Sequence, residues 1–293
     1  MKKLHKAILY IVLSALSFAL MNVFVKLSGD FPSFQKVFIR SLVVLFFSTI
    51  VLLKNKERPF PKKENAMDMF WRSFAGCVSM ICNYYAVDHL ILSDATMISK
   101  IAPFCTIIFS FLILKESVKV YQIICILIGF AGTAFIVKPA LNSTIIPAFV
   151  GVLGAVLAGV AYTFVRKLGN KGEENGTIVF SFALFSALFN IPFLVTGYEH
   201  VDLYNLFILI ISGFFAFLGQ MFVTGAYSLA PARDISIFDF SQLIFAAITG
   251  YFIFSEKPDL YSFLGYMVIL GTSFYLFKKN KAEAQKEQTE PAA

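Results

Sequence analysis

The chain has little charge. Asp, Glu, Lys and Arg make up 15% of its 293 residues, against about 25% in a soluble domain. Hydrophobic residues make up 58%, and mean hydropathy is +0.76. So few polar side chains cannot cover a surface facing water, which excludes an ordinary soluble domain. The four cysteines, Cys77, Cys82, Cys105 and Cys125, all lie inside apolar runs without C-x-x-C or Cys/His spacing. That pattern suggests neither a disulfide framework nor a zinc site. No Gly-Lys-Ser/Thr phosphate loop is present, so no ATPase is encoded. No His-rich box or clustered Asp pair supplies catalysts for a membrane enzyme, and no metal or other cofactor is expected. A cleavable signal peptide is not expected either. Lys2, Lys3 and Lys6 precede an apolar stretch over 7–25 that is too long for a signal h-region and has no small-x-small site at its end. The net charge of +7 sits in short loops beside apolar runs, which points to a bilayer rather than to nucleic acid.

What the chain has is apolar length. About 20 apolar residues cross a bilayer as a helix. Ten such segments are predicted, at roughly 6–27, 34–53, 69–89, 95–114, 119–138, 146–166, 175–197, 205–229, 234–254 and 259–278. They are apolar on nearly all faces, which excludes a barrel of alternating strands. With the N-terminus inside, 18 Lys and Arg fall on the cytoplasmic side and 3 or 4 outside, the latter being Lys36, Lys138, Lys257 and Lys26 at a helix end. The bias predicts a multi-pass protein of the cell (inner) membrane with both termini cytoplasmic. The polar tail over 279–293 is expected to be disordered.

The chain also repeats itself. Asp94, Glu116 and Tyr121 recur as Asp234, Glu256 and Tyr261, each 140 residues on. Phe24-Val25-Lys26 recurs as Phe164-Val165-Arg166 at the same offset. Each half, 1–138 and 139–278, holds five predicted helices. Five is odd, so the second half enters the membrane upside down. An inverted-topology repeat of this kind supports two nearly equivalent packings, open to one side or the other. The expected fold is an all-α membrane protein of ten transmembrane helices in two five-helix inverted-topology repeats.

Particular residues tie these halves to a family. The first half carries Tyr85-Ala86, Ala95, Pro103, Leu114-Lys115-Glu116, Gly129 and Gly132; the second keeps Gly225-Ala226-Tyr227, Glu256, Gly265 and Gly271. Residues 1 to about 278 resemble EamA-type transporters of the drug/metabolite transporter superfamily. The second half departs from the pattern where Leu243 stands at the position of Pro103. The resemblance implies a central cavity lined mainly by the first, third, fourth, sixth, eighth and ninth helices. It also implies a cargo among amino acids, other metabolites, sugars, nucleotide-sugars or phosphorylated sugars.

A charge in hydrocarbon costs at least a few kcal/mol, so it marks a candidate site. Lys100 lies six residues into the fourth predicted helix and Asp239 five into the ninth. Entering from opposite sides, they meet as a midplane pair or hold opposite ends of a zwitterion. The competing readings are snorkelling for Lys100 and, for Asp239, a local pair with Arg233 or a cap. Arg40 reads equally as a gate or salt-bridge residue and as an interfacial snorkeller. Lys26 is read as snorkelling to the outer surface, and Arg72 as facing lipid head groups.

On the third helix Tyr84 and Asp88 share one face, and Tyr85 and His89 the adjacent one. They suit an organic ligand or an aromatic belt at the interface. Asn22, Gln220 and Gln242 are read as cavity lining and Asn190 as packing. Asp94 and Asp234 are read as helix N-caps. Glu116 and Glu256, at helix C-termini, are assigned a gating or structural role, bonding to the neighbouring repeat, and Asp88 is likewise assigned a gating or structural role. Gly129, Gly132, Gly151, Gly154 and Gly159 permit close helix contact. The expected function is secondary transport of a small organic metabolite by alternating access, with export of an amino-acid-like zwitterion leading and uptake or exchange of a sugar-like or nucleotide-like solute as the alternative. The expected partners are a small-molecule substrate and the bilayer, with a homodimer left open.

Overall fold

The protein is seen in a computed structural model that describes residues 2–115, 119–137, 145–230, 235 and 238–289. Glu116, Arg233 and Asp234 lie outside the described residues. The helices are α1 (Lys2–Leu27), α2 (Ser33–Asn55), α3 (Ala66–His89), α4 (Leu92–Ser99), α5 (Ala102–Leu114), α6 (Val120–Val137), α7 (Ile145–Asn170), α8 (Asn175–Gly197), α9 (Leu203–Leu229), α10 (Ser241–Phe254) and α11 (Leu260–Thr289). Among the described residues there is no strand. Among the described residues, seven segments are long and apolar enough to span a bilayer by themselves, with α4 and α5 together forming one of them; α6 and α10 are shorter apolar helices. The more polar α3, 24 residues long, completes ten crossings. Large apolar side chains such as Leu53, Val195, Leu203 and Phe252 stand on the outer surface, where hydrocarbon rather than water is their natural solvent.

The two repeats interlock. α1, first in its repeat, packs along α9, third in the other, while α3 packs along α7 in the mirrored way. α2 packs on its counterpart α8, and α6 on α11. This is the pairing of an inverted repeat, and the protein is an all-α membrane protein of ten transmembrane segments in two five-helix halves. Small residues make it possible. A Cβ on Gly159 of α7 would come within 2.5 Å of the Cys105 Cβ on α5, so only glycine lets those backbones approach.

The fourth segment is broken where the sequence predicts one continuous helix. α4 stops at Ser99, and Lys100 and Ile101 form a turn held by bonds from Lys100 N to Met97 O (2.9 Å) and from Ile101 N to Ile98 O (3.1 Å). Pro103, near the start of α5, has no N–H to continue the ladder. The ninth segment breaks at Phe240, the counterpart of Lys100, before α10 begins. Leu243 N bonds to Phe240 O at 3.0 Å, so this break forms without a proline. α5 and α10 also end alike, on Lys115 and Ser255 in left-handed conformation, 140 residues apart.

Four expectations need correction. Asp94 is no N-cap: α4 begins at Leu92 with Ile91 as its cap, and the buried Asp94 carboxylate instead accepts from Ser262 Oγ (3.1 Å) and Tyr266 OH on α11. Lys26 does not snorkel outward but bonds Leu90 O (2.7 Å) and Glu256. Lys36, counted with the outer surface charges, is buried against Asp88 at 2.7 Å. In all three cases a partner from another segment of the chain reaches the group before solvent does. Finally, α11 runs on to Thr289 through the tail expected to be disordered; its Ala, Glu, Gln and Lys are all good helix formers.

Candidate functional site

A cavity lies between the repeats, at the two helix breaks. Its volume is about 100 Å3, several times what one water needs. Phe18, Met21 and Asn22 come from α1, and Ser79, Met80 and Asn83 from α3. The fourth segment adds Ser99, Lys100, Ala102 and Pro103, and α7 adds Gly154, Ala155, Ala158 and Tyr162. Gln220, Val223 and Tyr227 of α9, with Asp239 and Gln242 of the ninth segment, close it. These are the same six segments that the family resemblance implies.

Lys100 and Asp239 meet in this cavity. Lys100 Nζ donates to Asp239 Oδ2 and to Gln242 Oε1, both at 2.6 Å. The lysine side chain is 4% exposed and the aspartate 20%, so the pair is reached through the carboxylate side. Both charges sit at helix breaks: Lys100 lies between the C-terminus of α4 and the N-terminus of α5, and Asp239 lies just before α10. The helix breaks supply the room for the pair.

The lining follows the repeat. Asn22 and Tyr162 occupy the same repeat position, as do Met80 and Gln220, Ser99 and Asp239, and Ala102 and Gln242. Equivalent backbone positions thus carry different chemistry. Tyr162 and Tyr227, with ring centroids 5.6 Å apart, and Phe18 are the cavity aromatics that sequence reasoning missed. The 140-residue offset from Asn22 was the available signal for Tyr162.

Of the sequence candidates, Asn22, Lys100, Gln220, Asp239 and Gln242 come together here. Tyr84, Tyr85 and His89 stand outside the cavity. Successive helix residues turn by about 100°, so Asn83 faces the cavity and its neighbours do not. Tyr84 is buried in the core; Tyr85 stacks on His89 at 4.3 Å, and His89 is exposed at the end of α3. Asp88 is held by Lys36. Glu256 joins the repeats, accepting from Leu92 N at 2.8 Å as well as from Lys26.

Arg72 does not face head groups. It is buried, donates from Nη2 to Gln220 Oε1 at 3.1 Å, and lies over the Phe182 ring at 4.1 Å. Its helix face runs through Gly76, Ser79 and Asn83, at steps of three and four. A Cβ on Gly76 would lie 2.4 Å from Arg72 Nη1 and 2.9 Å from Phe182, so glycine makes room for the guanidinium. Arg40, fully buried, lies 5.6 Å from the same ring. Among the described residues there is no group of His, Cys, Asp and Glu able to hold a metal.

The model of the EamA-like transporter family matches residues 5–138 and 145–278. The chain belongs to this family. As an EamA-like protein it is 29% identical over 283 residues to the pseudopaline exporter of Pseudomonas aeruginosa, across 95% of this chain and 98% of that one. It is 24% identical over 305 residues to the S-adenosylmethionine uptake transporter of Rickettsia prowazekii, across 99% of both. A crystal structure only 13% identical in sequence matches with a TM-score of 0.66, over 91% of this chain and 94% of that chain, so it shares the fold. The EamA-like chain is a multi-pass membrane protein of a transporter family, and a small-molecule substrate goes with that membership.

Proposed function

We propose that this EamA-like protein exports a small, amino-acid-like zwitterion across the cell (inner) membrane by alternating access. The observation carrying the reading is the Lys100–Asp239 pair inside the cavity. An ion pair held away from water is costly to keep and more costly to break on one side only. A zwitterion resolves this: its carboxylate takes Lys100, its ammonium takes Asp239, and the site stays neutral throughout. Gln242, already bonded to Lys100, orients the lysine, while Asn22, Tyr162 and Tyr227 face the rest of the molecule. The Lys/Arg bias supports cytoplasmic termini. The higher identity to the pseudopaline exporter than to the uptake protein supports export.

Substrate flux in proteoliposomes containing only this protein tests the reading, with a panel of amino acids as counterflow substrates. Lys100→Met and Asp239→Asn each lower flux at least tenfold while the protein still inserts. Wild-type flux in both variants removes the pair from the substrate site, and unchanged transport of a neutral sugar by Lys100→Met favours a sugar-like cargo.

A further inference from the structure

Arg40 and Arg72 have no carboxylate partner among the described residues. No hydrogen-bond acceptor reaches Nε, Nη1 or Nη2 of Arg40, or Nε of Arg72. Both side chains are almost wholly buried, at 0% and 2% exposure. Among the described residues, the buried cations Lys36 and Lys100 each have an acid, Asp88 and Asp239, and the half-buried Lys26 has Glu256.

The two guanidinium groups converge. They share the Phe182 ring, at 5.6 and 4.1 Å from its centroid. Arg72 also bonds Gln220, a residue of the cavity wall, and Asn22 of the wall has a buried Oδ1 with no donor. A ring quadrupole offsets only part of the desolvation of a guanidinium. The remaining donors form a planar fork whose natural complement is a carboxylate.

We propose that Arg40 and Arg72 form a carboxylate subsite adjoining the cavity, so that the transported molecule is an amino acid bearing at least one carboxylate beyond its zwitterionic head. This rests on the reading of Lys100 and Asp239 as the site of that head. The head leaves the Lys100–Asp239 site neutral, and the additional carboxylate is met by the otherwise unmatched charge of the two arginines.

The test is a thermal-unfolding titration of the purified full-length protein in detergent with L-alanine, L-glutamate and γ-carboxyglutamate. These probes carry one, two and three carboxylates on the same α-amino core. In the wild type, apparent affinity rises along the series. Arg40→Gln and Arg72→Gln flatten it, lowering the affinity for glutamate at least tenfold relative to that for alanine. Arg40→Lys, which keeps the charge but loses the fork, falls between and stands in if Arg40→Gln does not fold. Equal weakening of alanine and glutamate in the arginine variants overturns the subsite, as does a wild type that gains nothing from added carboxylates or binds none of the probes. Lys100→Met separates the two readings: it weakens all three probes alike. A Lys100→Met protein that still binds all three while the arginine variants flatten the series overturns the head-group site and leaves the arginine subsite standing.

Discussion

At the scale of single residues, this protein is organised by where its few charges find partners. Asp68 shows this at the membrane rim, in the first turn of α3. It accepts from Lys167 Nζ at 2.8 Å and from Lys171 Nζ at 2.7 Å. Burial of the carboxyl works against its ionisation, but the two lysines outweigh it and hold its pKa below the ordinary value. A group whose pKa is depressed by folding contributes stability above its unfolded value and loses it as pH falls through its folded one. The lysines are partly exposed, so solvent screens part of the effect. Asp68→Asn therefore lowers the unfolding midpoint in detergent at pH 7, and the gap to wild type closes as the pH is brought below the ordinary carboxylate range. A gap that persists unchanged well below that range refutes this account. The charges themselves could be read from the sequence, but their partners could not. Arg72 looked interfacial because it lies near a helix end; the rotation of α3, with Gly76 clearing its path, turns it inward.

At the scale of elements, the two broken segments and the ion pairs at their ends matter most. Lys26 of α1 and Glu256 after α10 join the two repeats at the rim opposite the chain termini, together with Leu90 O and Leu92 N. Their counterparts by the 140-residue offset are Arg166 and Glu116. A closed rim held by such a pair opens when the pair is broken. In a cysteine-free background, a cysteine at position 22 of the cavity wall should react from that side faster when Lys26→Met is added. Typical couplings of 1–3 kcal/mol put the change at about tenfold. An unchanged labelling rate shows that the pair does not hold this rim shut. The sequence made the ten apolar runs plain because composition alone decides them. The break at Lys100 had one local sign, Pro103; the break at Phe240 lacks that sign, since Leu243 replaces the proline.

At the scale of the whole molecule, ten crossings place both termini on one rim, and the α2–α3 loop with them. That loop is pinned to the α7–α8 turn, with Lys62 N and Asn65 Nδ2 donating to Glu173 at 3.0 and 2.6 Å. The proposed orientation, taken from the Lys/Arg bias, has this rim facing the cytoplasm. Phe60, exposed in the loop, and Tyr198, exposed at the opposite rim, report on it. In intact cells an impermeant maleimide should reach Tyr198→Cys and spare Phe60→Cys until the membrane is opened. The reverse pattern inverts the topology.

The sequence by itself determined the medium, the number of crossings and the duplication, because hydrophobic length and a fixed 140-residue offset are one-dimensional properties. It also pointed to Lys100 and Asp239, since a charge in an apolar run is conspicuous wherever the run lies. Tertiary structure alone decided that the two meet at 2.6 Å with Gln242. It also decided that Tyr162 rather than Tyr84 faces them, and that Arg40 and Arg72 converge on Phe182. Those outcomes depend on helix rotation and on which helices of the two repeats pack together. A shift of one residue along a helix turns a side chain by about 100°, and no pattern of apolar residues that is nearly uniform on all faces can specify that angle.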